Sequence, residues 1–339
     1  LEYLTCNYHR NLTAALYLGN TNRSAFDFLR QAKNEVKIKN TRKISYTHPM
    51  MKINRISPVI GAEVVGANLT SLNQHEFEEI ESALATHSVL FFRDQPQMSP
   101  EHQVSFATRF GPLHEHPAAP TMNANEAIFV IKTDSKSKVA NGNGWHTDVS
   151  CDEEPPLVTM LQLHEVPELG GDTLFSSMYA AYETLSSTMK SFISGLDAHH
   201  ESEHIYRGRY ADRDVSDKES YPRSTHPIVA KHPKSGRSAL YVNPSFTTHI
   251  EGLSKDESRT ILELLFTHQA RLEFQVRFQW TAGAIALWDN RSAHHFAVWD
   301  YWPQPRKGHR VTIKGFAPER GEIETSKYYE NLRLSRSRL

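Results

Sequence analysis

The segment Gly144–Ser150, with the sequence GWHTDVS, sets a histidine and an aspartate two positions apart. On an extended strand, residues i and i+2 project to the same side, so His146 and Asp148 could offer an imidazole nitrogen and a carboxylate oxygen to one metal ion. The chain has 19 histidines, however, and a His-x-Asp pair arises roughly 0.7 times by chance in such a chain. The pair alone is therefore a weak indication of a metal site.

A second group of candidate residues lies far downstream, between Trp288 and Arg310. It contains the adjacent pair His294–His295 and three arginines, in the sequence WDNRSAHHFAVWDYWPQPRKGHR. Two histidines and one carboxylate on one face of a metal leave three positions open, which suits a non-heme Fe(II) that activates O2. One histidine of this group would complete such a triad.

The elements that must position these residues are mainly strands. Apolar residues in short runs or in alternation predict strands over 88–94, 274–280, 285–290 and 309–316. The strands are too many and too irregularly spaced for a doubly wound parallel sheet. We therefore expect a mixed α+β protein, mainly β, built as an antiparallel sandwich or barrel braced by helices.

Three helices are expected around these strands. An apolar face at helical spacing predicts a helix over 73–87, and Ser99-Pro100 is a typical start for a second one. The sequence SKDE, which begins at Ser254, is a capping box and predicts a helix over 255–269.

Composition indicates a globular protein, because the 339 residues are 39% hydrophobic and 23% charged. With 38 Lys and Arg against 39 Asp and Glu, the net charge of -1 gives no general attraction to nucleic acid or to an anionic membrane. No run approaches the roughly 18 apolar residues that a membrane span needs. We expect no nucleic-acid or membrane partner and, by default, a cytoplasmic location; assembly into a homo-oligomer stays open.

The first 49 residues differ in charge from the rest of the chain. They contain eight Lys and Arg against three Asp and Glu, a charge of +5 that leaves -6 for the remainder. We interpret 1–49 as a loosely ordered basic extension without a catalytic part, and import into an organelle through it is not excluded. The catalytic domain is expected over 50–320 and a C-terminal tail over 321–339.

A series of motifs resembles the taurine dioxygenase family of Fe(II)- and 2-oxoglutarate-dependent oxygenases. In order along the chain, from about Lys52 to about Pro318, these motifs are FFRDQ, FGPLHEHP, WHTDVS, EEPP, GGDTLFSSMYAAYE, HPIVAKHPKSGRSALYVNPSFTT and WDNRSAHHFAV. The resemblance implies a double-stranded β-helix (jelly-roll) core flanked by helices, in agreement with the strand pattern. It also implies Fe(II) as the metal, 2-oxoglutarate as the cosubstrate and O2 as the oxidant.

Carried over by position, the resemblance implies a set of iron and cosubstrate residues. The Fe(II) ligands would be His146, Asp148 and His295. The neighbouring His294 stands where relatives often carry glutamine, which implies a place at the pocket edge or a structural role. The far carboxylate of 2-oxoglutarate would be bound by Arg306 and the Thr173 hydroxyl, since a buried carboxylate is costly without a partner.

The resemblance also implies an anion site for the substrate, formed by His116, Arg310 and the backbone N–H of Val149. A fork of N–H donors suits a tetrahedral oxyanion; the alternative is that Arg310 pairs with a carboxylate. Ala119 and Gly142 depart from the taurine-specific pattern of tyrosine and asparagine. We expect a small organic anion as substrate: a sulfonate such as taurine or an alkyl sulfonate, giving sulfite and an aldehyde, or else a sulfate ester or an aryloxy or alkyl carboxylate.

Two other classes of function stay open from the sequence. A zinc-dependent hydrolase could use the same three ligands with a bound water, but it would not need the pair of Arg306 and Thr173. A non-catalytic jelly-roll binding protein could keep the fold, but it would not need all three ligands.

Several neighbouring residues receive structural interpretations. Cys151 is expected to be a packed thiol on the side of a strand opposite to Asp148. Asp289 and Arg291 are expected to pair, and Asn290 to orient the loop that carries His295. The segment 199–225, which contains HIYRGRYADRD, is expected to cover the pocket as a lid.

Overall fold

The computed structural model describes residues 51–118, 121–122, 125–209, 211 and 216–323. The predicted basic extension over 1–49 lies outside these residues, as does all but the first part of the predicted tail over 321–339. Ala119, which departs from the taurine-specific pattern, also lies outside them.

The strands of the described residues follow the chain in this order: β1 (Lys52–Arg55), β2 (Ala62–Val65), β3 (Val89–Phe92), β4 (Thr121–Met122), β5 (Asn125–Thr133), β6 (Val158–Glu165), β7 (Thr173–Ser177), β8 (Asp197–Glu201), β9 (Arg223–Pro227), β10 (Val229–Lys231), β11 (Ser238–Leu240), β12 (Thr247–Ile250), β13 (Gln275–Phe278), β14 (Ile285–Asp289), β15 (Ala293–Ala297) and β16 (Arg306–Ile313). The helices are α1 (Gln74–His87), α2 (Pro100–Ala107), α3 (Met178–Glu183), α4 (Ser187–Ile193), α5 (Glu203–Tyr206) and α6 (Lys255–Gln269), with a 3-10 helix over Leu272–Phe274. None of these helices is long and apolar enough to cross a membrane.

The strands form a large sheet and three smaller ones. The large sheet has the order β1-β2-β3-β14-β6-β16-β5-β4 and is antiparallel except where β2 pairs with β3. The smaller sheets have the orders β13-β7-β15, β12-β8-β9 and β10-β11. Phe91 of β3 stacks on Phe278 of β13 with ring centroids 4.1 Å apart, so the large sheet packs face to face against the sheet of β7. This is the predicted jelly-roll core.

Alternation along the strands divides the core into two layers. On β14, Ala286 and Trp288 pack between the sheets, whereas Ile285 and Leu287 pack on the other face, against α1 and α2. Because both faces of β14 are covered, all five of its residues are buried. The site residues on β7, β15 and β16 are thus carried by a rigid, close-packed frame.

The three predicted helices are confirmed. Helix α1 begins after Asn73, whose side chain accepts a hydrogen bond from Glu76 N while the Glu76 carboxylate accepts one from Asn73 N. Helix α2 is capped by Ser99, and α6 spans the predicted residues behind the capping box of Ser254 and Glu257. Side-chain caps satisfy the first backbone N–H groups, so these starts are set by local sequence.

Two predicted strand boundaries are wrong. The strand predicted over 274–280 is limited to β13, because the chain forms the 3-10 helix before Gln275 and leaves the sheet after Phe278. The strand predicted over 309–316 ends at Ile313 and begins earlier, at Arg306. The earlier start has a consequence for function, since it sets Arg306 in the sheet rather than in a proline-rich turn.

Candidate active site

His146 and His295 lie opposite each other in an isolated antiparallel bridge. His146 N donates to His295 O at 3.1 Å, and His295 N donates to His146 O at 2.8 Å. The two ring centroids are 4.1 Å apart. His146 Nδ1 lies 2.8 Å from the Gly144 carbonyl oxygen, which orients the ring and leaves Nε2 to bind a metal.

Asp148 completes a group of three side chains whose ligand atoms all lie within 4.8 Å of one another. Its Oδ1 atom is 3.8 Å from His295 Nε2. The expected strand geometry is wrong, because the chain turns at Asp148: Val149 has a φ of 45°, and Asp152 N donates to Val149 O at 3.0 Å. A positive φ is rare for a β-branched residue, and such strained turns cluster at functional sites.

The Asp148 carboxylate is buried but has two donors. Thr159 Oγ1 donates to Oδ2 at 2.7 Å, and Arg310 Nη1 donates to Oδ1 at 2.9 Å. Burial alone would favour the neutral carboxyl, but the charge of Arg310 and the donors outweigh it and hold the pKa of Asp148 below its usual range. Burial also lowers the pKa of both His146 and His295. Two neutral imidazoles and one carboxylate form a donor set that fits Fe(II).

Arg306 and Thr173 meet between the two packed sheets. Arg306 is 4% exposed, and its Nη2 atom lies 3.5 Å from Thr173 Oγ1, which also accepts a hydrogen bond from Trp280 Nε1 at 3.0 Å. Within the described residues no carboxylate pairs with this guanidinium, and its Nε atom has no hydrogen-bond partner. Burial lowers the pKa of Arg306. A buried cation without a partner is costly, so the arrangement fits a carboxylate that arrives with the cosubstrate.

A cavity of about 230 Å³ opens beside His146 and Asp148. The three predicted substrate residues, His116, Val149 and Arg310, all line it. Arg306 and Arg310 lie on the same face of β16, four residues and so about 13 Å apart along the strand. The two arginines are therefore far enough apart to serve two different anions.

His116 and Arg310 share one aromatic surface. The Arg310 guanidinium lies 4.6 Å above the Phe129 ring, and the His116 ring stacks on that ring at 5.5 Å. His116 Nδ1 accepts from Ala118 N at 3.1 Å, so the ring proton of a neutral His116 is on Nε2. Burial and the charge of Arg310 lower the pKa of His116. A protonated His116 is therefore not needed, because the neutral ring already has one donor.

The alternative for Arg310, a carboxylate partner, is also observed, and that partner is Asp148.

Of the two interpretations of His294, the structure agrees with the structural role and not with a place at the pocket edge. Strand β15 directs His295 toward Trp288 and Phe175, so the alternating neighbour His294 projects to the opposite face of its sheet. His294 has no exposed surface, and among the described residues neither ring nitrogen has a hydrogen-bond partner. Burial lowers its pKa to about 3. It is a neutral, structural histidine.

Asn290 supports Asp148, rather than the loop that carries His295. Its Nδ2 atom donates to Thr159 Oγ1 at 2.9 Å, and Thr159 in turn holds Asp148. Its carbonyl oxygen accepts from Thr147 Oγ1 at 2.6 Å, and its Oδ1 accepts from Trp288 Nε1 at 3.0 Å. The sequence analysis does not identify Thr159, although a hydroxyl between the apolar residues Val158 and Met160 of β6 is a signal that could have indicated it.

Replacing Asn290 with alanine is expected to weaken Fe(II) binding about 10–100-fold, the usual cost of losing a residue that orients a metal ligand. Anaerobic titration of the variant with Fe(II) measures the change. Asn73→Ala is the matched control, because it removes the cap of α1 and costs about 1 kcal/mol of stability without touching the site. An unchanged Fe(II) affinity in Asn290→Ala would show that Thr159 and Arg310 orient Asp148 without Asn290.

The other structural interpretations have mixed outcomes. The pair of Asp289 and Arg291 is confirmed, with Arg291 Nε donating to Asp289 Oδ1 at 3.0 Å, and His232 Nε2 also lies 2.9 Å from Asp289. Cys151 is a packed thiol, as predicted, but it follows the turn at Asp148 instead of lying on a strand. Burial raises its pKa to about 12, which keeps the thiol protonated.

Part of the predicted lid forms a wall of the cavity. His204, Ile205 and Tyr206 on α5 line it together with Arg209. Arg209 Nη2 donates to Ala140 O at 2.5 Å, which connects this segment to the loop before His146. Opening and closing of 199–225 stays a prediction.

Gly142 lies against the metal group. Its φ is 76°, and a Cβ atom built on it would be 3.2 Å from His146 Cε1. A side chain here would need both the left-handed backbone and a shift of the His146 ring. Glycine at this position therefore lets the cavity wall approach the His146 ring closely.

A jelly-roll core that holds two histidines, an aspartate and a separate buried arginine defines an Fe(II)- and 2-oxoglutarate-dependent oxygenase. The family model described as "Taurine catabolism dioxygenase TauD, TfdA family" matches residues 52–312. The chain belongs to this family.

Other proteins are similar to this chain in sequence, and solved structures are similar to it in fold. An alkylsulfatase of Acinetobacter baylyi is 34% identical over 274 residues, covering 78% of this chain and 85% of the relative. An alpha-ketoglutarate-dependent sulfate ester dioxygenase of Pseudomonas putida is 34% identical over 277 residues, covering 79% and 91%. The crystal structure of a taurine dioxygenase from Burkholderia xenovorans superposes with a TM-score of 0.69 at 33% identity, covering 80% of this chain and 93% of that one.

Family membership decides between the classes left open by the sequence. The protein is an oxidoreductase that uses Fe(II), 2-oxoglutarate and O2. It is neither a zinc-dependent hydrolase nor a non-catalytic binding protein.

Proposed function

We propose that the protein oxidises an alkyl sulfonate or an alkyl sulfate ester at the carbon that bears the sulfur group. The observation that carries this proposal is the pair formed by Arg310 and His116 on one wall of the cavity, beside the His146/Asp148/His295 group. A guanidinium fork and an imidazole N–H match the oxygens of a tetrahedral sulfur oxyanion. Relatives named as sulfate ester and taurine dioxygenases support the same chemical class.

The rest of the cavity favours an alkyl chain over the aminoethyl chain of taurine. Five of the lining residues are apolar or aromatic, namely Phe129, Val149, Ile205, Tyr206 and Phe246, beside polar ones such as Asn141, Asn143 and Ser245. Asp148 is the one acidic residue among the described lining residues, and it is already bound to Arg310. An ammonium group would thus lose water without gaining a carboxylate partner, which is unfavourable.

The proposed roles follow the geometry. His146, Asp148 and His295 bind Fe(II), while Arg306 and Thr173 bind the far carboxylate of 2-oxoglutarate. Arg310, His116 and the Val149 N–H bind the substrate anion and so hold its adjacent C–H bond near the metal.

The Fe(II) centre supplies the oxidation: one oxygen atom of O2 enters the C–H bond, and the other enters succinate as 2-oxoglutarate loses CO2. A hydroxylated carbon that bears a sulfonate breaks down to an aldehyde and sulfite, and one that bears a sulfate ester gives an aldehyde and sulfate.

A panel of hexanesulfonate, hexyl sulfate, hexanoate and taurine tests the proposal. The purified protein receives Fe(II), 2-oxoglutarate and O2, and succinate, sulfite and sulfate are measured. We expect hexanesulfonate or hexyl sulfate to give succinate with an equal amount of sulfite or sulfate, and taurine to be a weaker substrate. Equal or better turnover of hexanoate would overturn the proposed substrate class while leaving the oxygenase intact.

His116→Phe is expected to raise KM for the sulfur oxyanion about 10–100-fold, because a hydrogen bond to a charged group contributes about 1.5–3 kcal/mol. Phenylalanine keeps the stacking on Phe129 and removes the Nε2–H donor, together with the Nδ1 acceptor of the Ala118 N–H. Steady-state kinetics measures the change. The charge-transfer band of the anaerobic Fe(II)–2-oxoglutarate complex serves as the internal control and should keep its intensity; an unchanged KM would remove His116 from the anion site.

A further inference from the structure

A second group of potential metal ligands lies on the surface of the sheet β12-β8-β9. Across the described part of the chain, the only groups of three or more such side chains are the His146/Asp148/His295 group and the group formed by His199, His249 and Glu251. One ligand atom from each of these three residues lies within 4.8 Å of the others. None of the three belongs to the oxygenase site described above.

The register of the strands brings the two histidines together. His199 on β8 is the direct partner of His249 on β12, and their ring centroids are 4.9 Å apart. The register shifts between Thr247 and His249, which is the mark of a β-bulge. Thr247 is buried and His249 is half exposed, so the extra residue turns His249 outward on the same face as His199.

Glu251 brings a carboxylate between the two rings. Its backbone N donates to Asp197 O at 2.8 Å, which fixes the residue beside the start of β8. Its Oε1 atom is 3.6 Å from His249 Nε2 and 3.9 Å from His199 Nδ1. One oxygen atom is therefore close to a nitrogen of each ring.

These distances are near those of a tetrahedral zinc site. Zinc bonds of 2.0–2.2 Å to nitrogen and oxygen set neighbouring ligand atoms about 3.4 Å apart. Small side-chain rotations are enough to reach that spacing, since His249 and Glu251 are 51% and 47% exposed. His249 Nδ1 lies 3.0 Å from Thr248 Oγ1, a contact that orients the ring with Nε2 toward Glu251.

We propose that His199, His249 and Glu251 form a second metal site, for Zn²⁺, separate from the iron site. Two imidazoles and a carboxylate suit zinc, and a fourth position remains for water. The ion would connect β8 to β12. Glu201 N at the end of β8 donates to Phe246 O before β12 at 2.8 Å, so the connected strands lead directly to the cavity wall at Phe246 and Ile205.

Zinc content after dialysis tests the site. His295→Ala serves as the background, because it removes one ligand of the iron site and so suppresses zinc there. The full chain is dialysed against Zn²⁺ and then against metal-free buffer, and bound zinc is counted by mass spectrometry. We expect the background variant to retain one zinc ion more than the same protein with His249→Gln, and to show a zinc-dependent rise in Tm that His249→Gln abolishes.

A matched control distinguishes a specific metal site from nonspecific binding of zinc at the surface. His75 and Glu79 form an exposed pair on α1, with His75 Nδ1 3.7 Å from Glu79 Oε1, and offer two ligand atoms instead of three. His75→Gln in the same background should leave the zinc count unchanged. Equal zinc in the background variant and in His249→Gln, or equal losses from His249→Gln and His75→Gln, would overturn the proposal. These outcomes do not depend on whether the substrate is a sulfonate or a sulfate ester.

Discussion

His295→Ala is expected to abolish Fe(II) binding and to reduce oxidation of any substrate to background. His295 contributes one of three ligand atoms, and the two that remain, on His146 and Asp148, are only two positions apart in sequence. Iron bound by two protein ligands is both weaker and less directional, so 2-oxoglutarate cannot be held in a fixed orientation on it. The measurement is the anaerobic titration with Fe(II) and 2-oxoglutarate, followed through the weak metal-to-ligand charge-transfer band.

His294→Gln is the matched control for this loss. His294 is the preceding residue on β15, equally buried, and projects to the other face of the sheet. Glutamine fills a similar space, so the variant should fold and keep the charge-transfer band. A band that survives His295→Ala but disappears in a folded His294→Gln would exchange the roles of the two histidines.

Arg306→Met is expected to weaken 2-oxoglutarate binding by roughly 10²–10⁴-fold. Without Arg306, the far carboxylate would be buried with only the Thr173 hydroxyl as a donor, and removing one partner of a buried ion pair costs about 3–5 kcal/mol. Methionine keeps much of the aliphatic volume beside Trp280. The binding constant is obtained from the same charge-transfer band as 2-oxoglutarate is added.

In the absence of 2-oxoglutarate, the same substitution should not destabilise the protein. Arg306 is then a buried cation without a carboxylate partner in the described residues, so Arg306→Met should leave Tm unchanged or raise it. The rise in Tm that 2-oxoglutarate gives the wild-type protein should disappear. Arg320→Met, which removes a surface pair with Asp197, is the control and should keep that rise. A full response to 2-oxoglutarate in Arg306→Met would mean that another cation binds its carboxylate.

Local sequence determined the helices better than the strands. Helices α1 and α6 begin at capping boxes of four residues, so the start of α6 could be predicted to the residue and that of α1 to within one residue. Strand ends depend on partners elsewhere in the chain: β16 extends to Arg306 because Thr133 of β5 pairs with it. No short pattern contains that information.

In the candidate site, too, some features are set by local sequence and others by contacts between distant residues. The types of the ligands could be predicted from motifs, because two histidines and a carboxylate are what the chemistry requires. The support from Asn290 through Thr159 and the bond between Arg310 and Asp148 could not, since each joins residues more than ten positions apart. Such contacts are set by the packing of the sheets.

The backbone bridge between His146 and His295 also bears on when the ligand group is completed during folding. The two residues are separated by 149 positions (295 − 146), so their bridge closes one of the long loops of the fold. Contacts of such separation form late, because the entropy of loop closure must be overcome first. A nascent or truncated chain that ends before β15 therefore has only His146 and Asp148 to offer. The complete group of three ligands therefore forms only in a chain that has folded through β15.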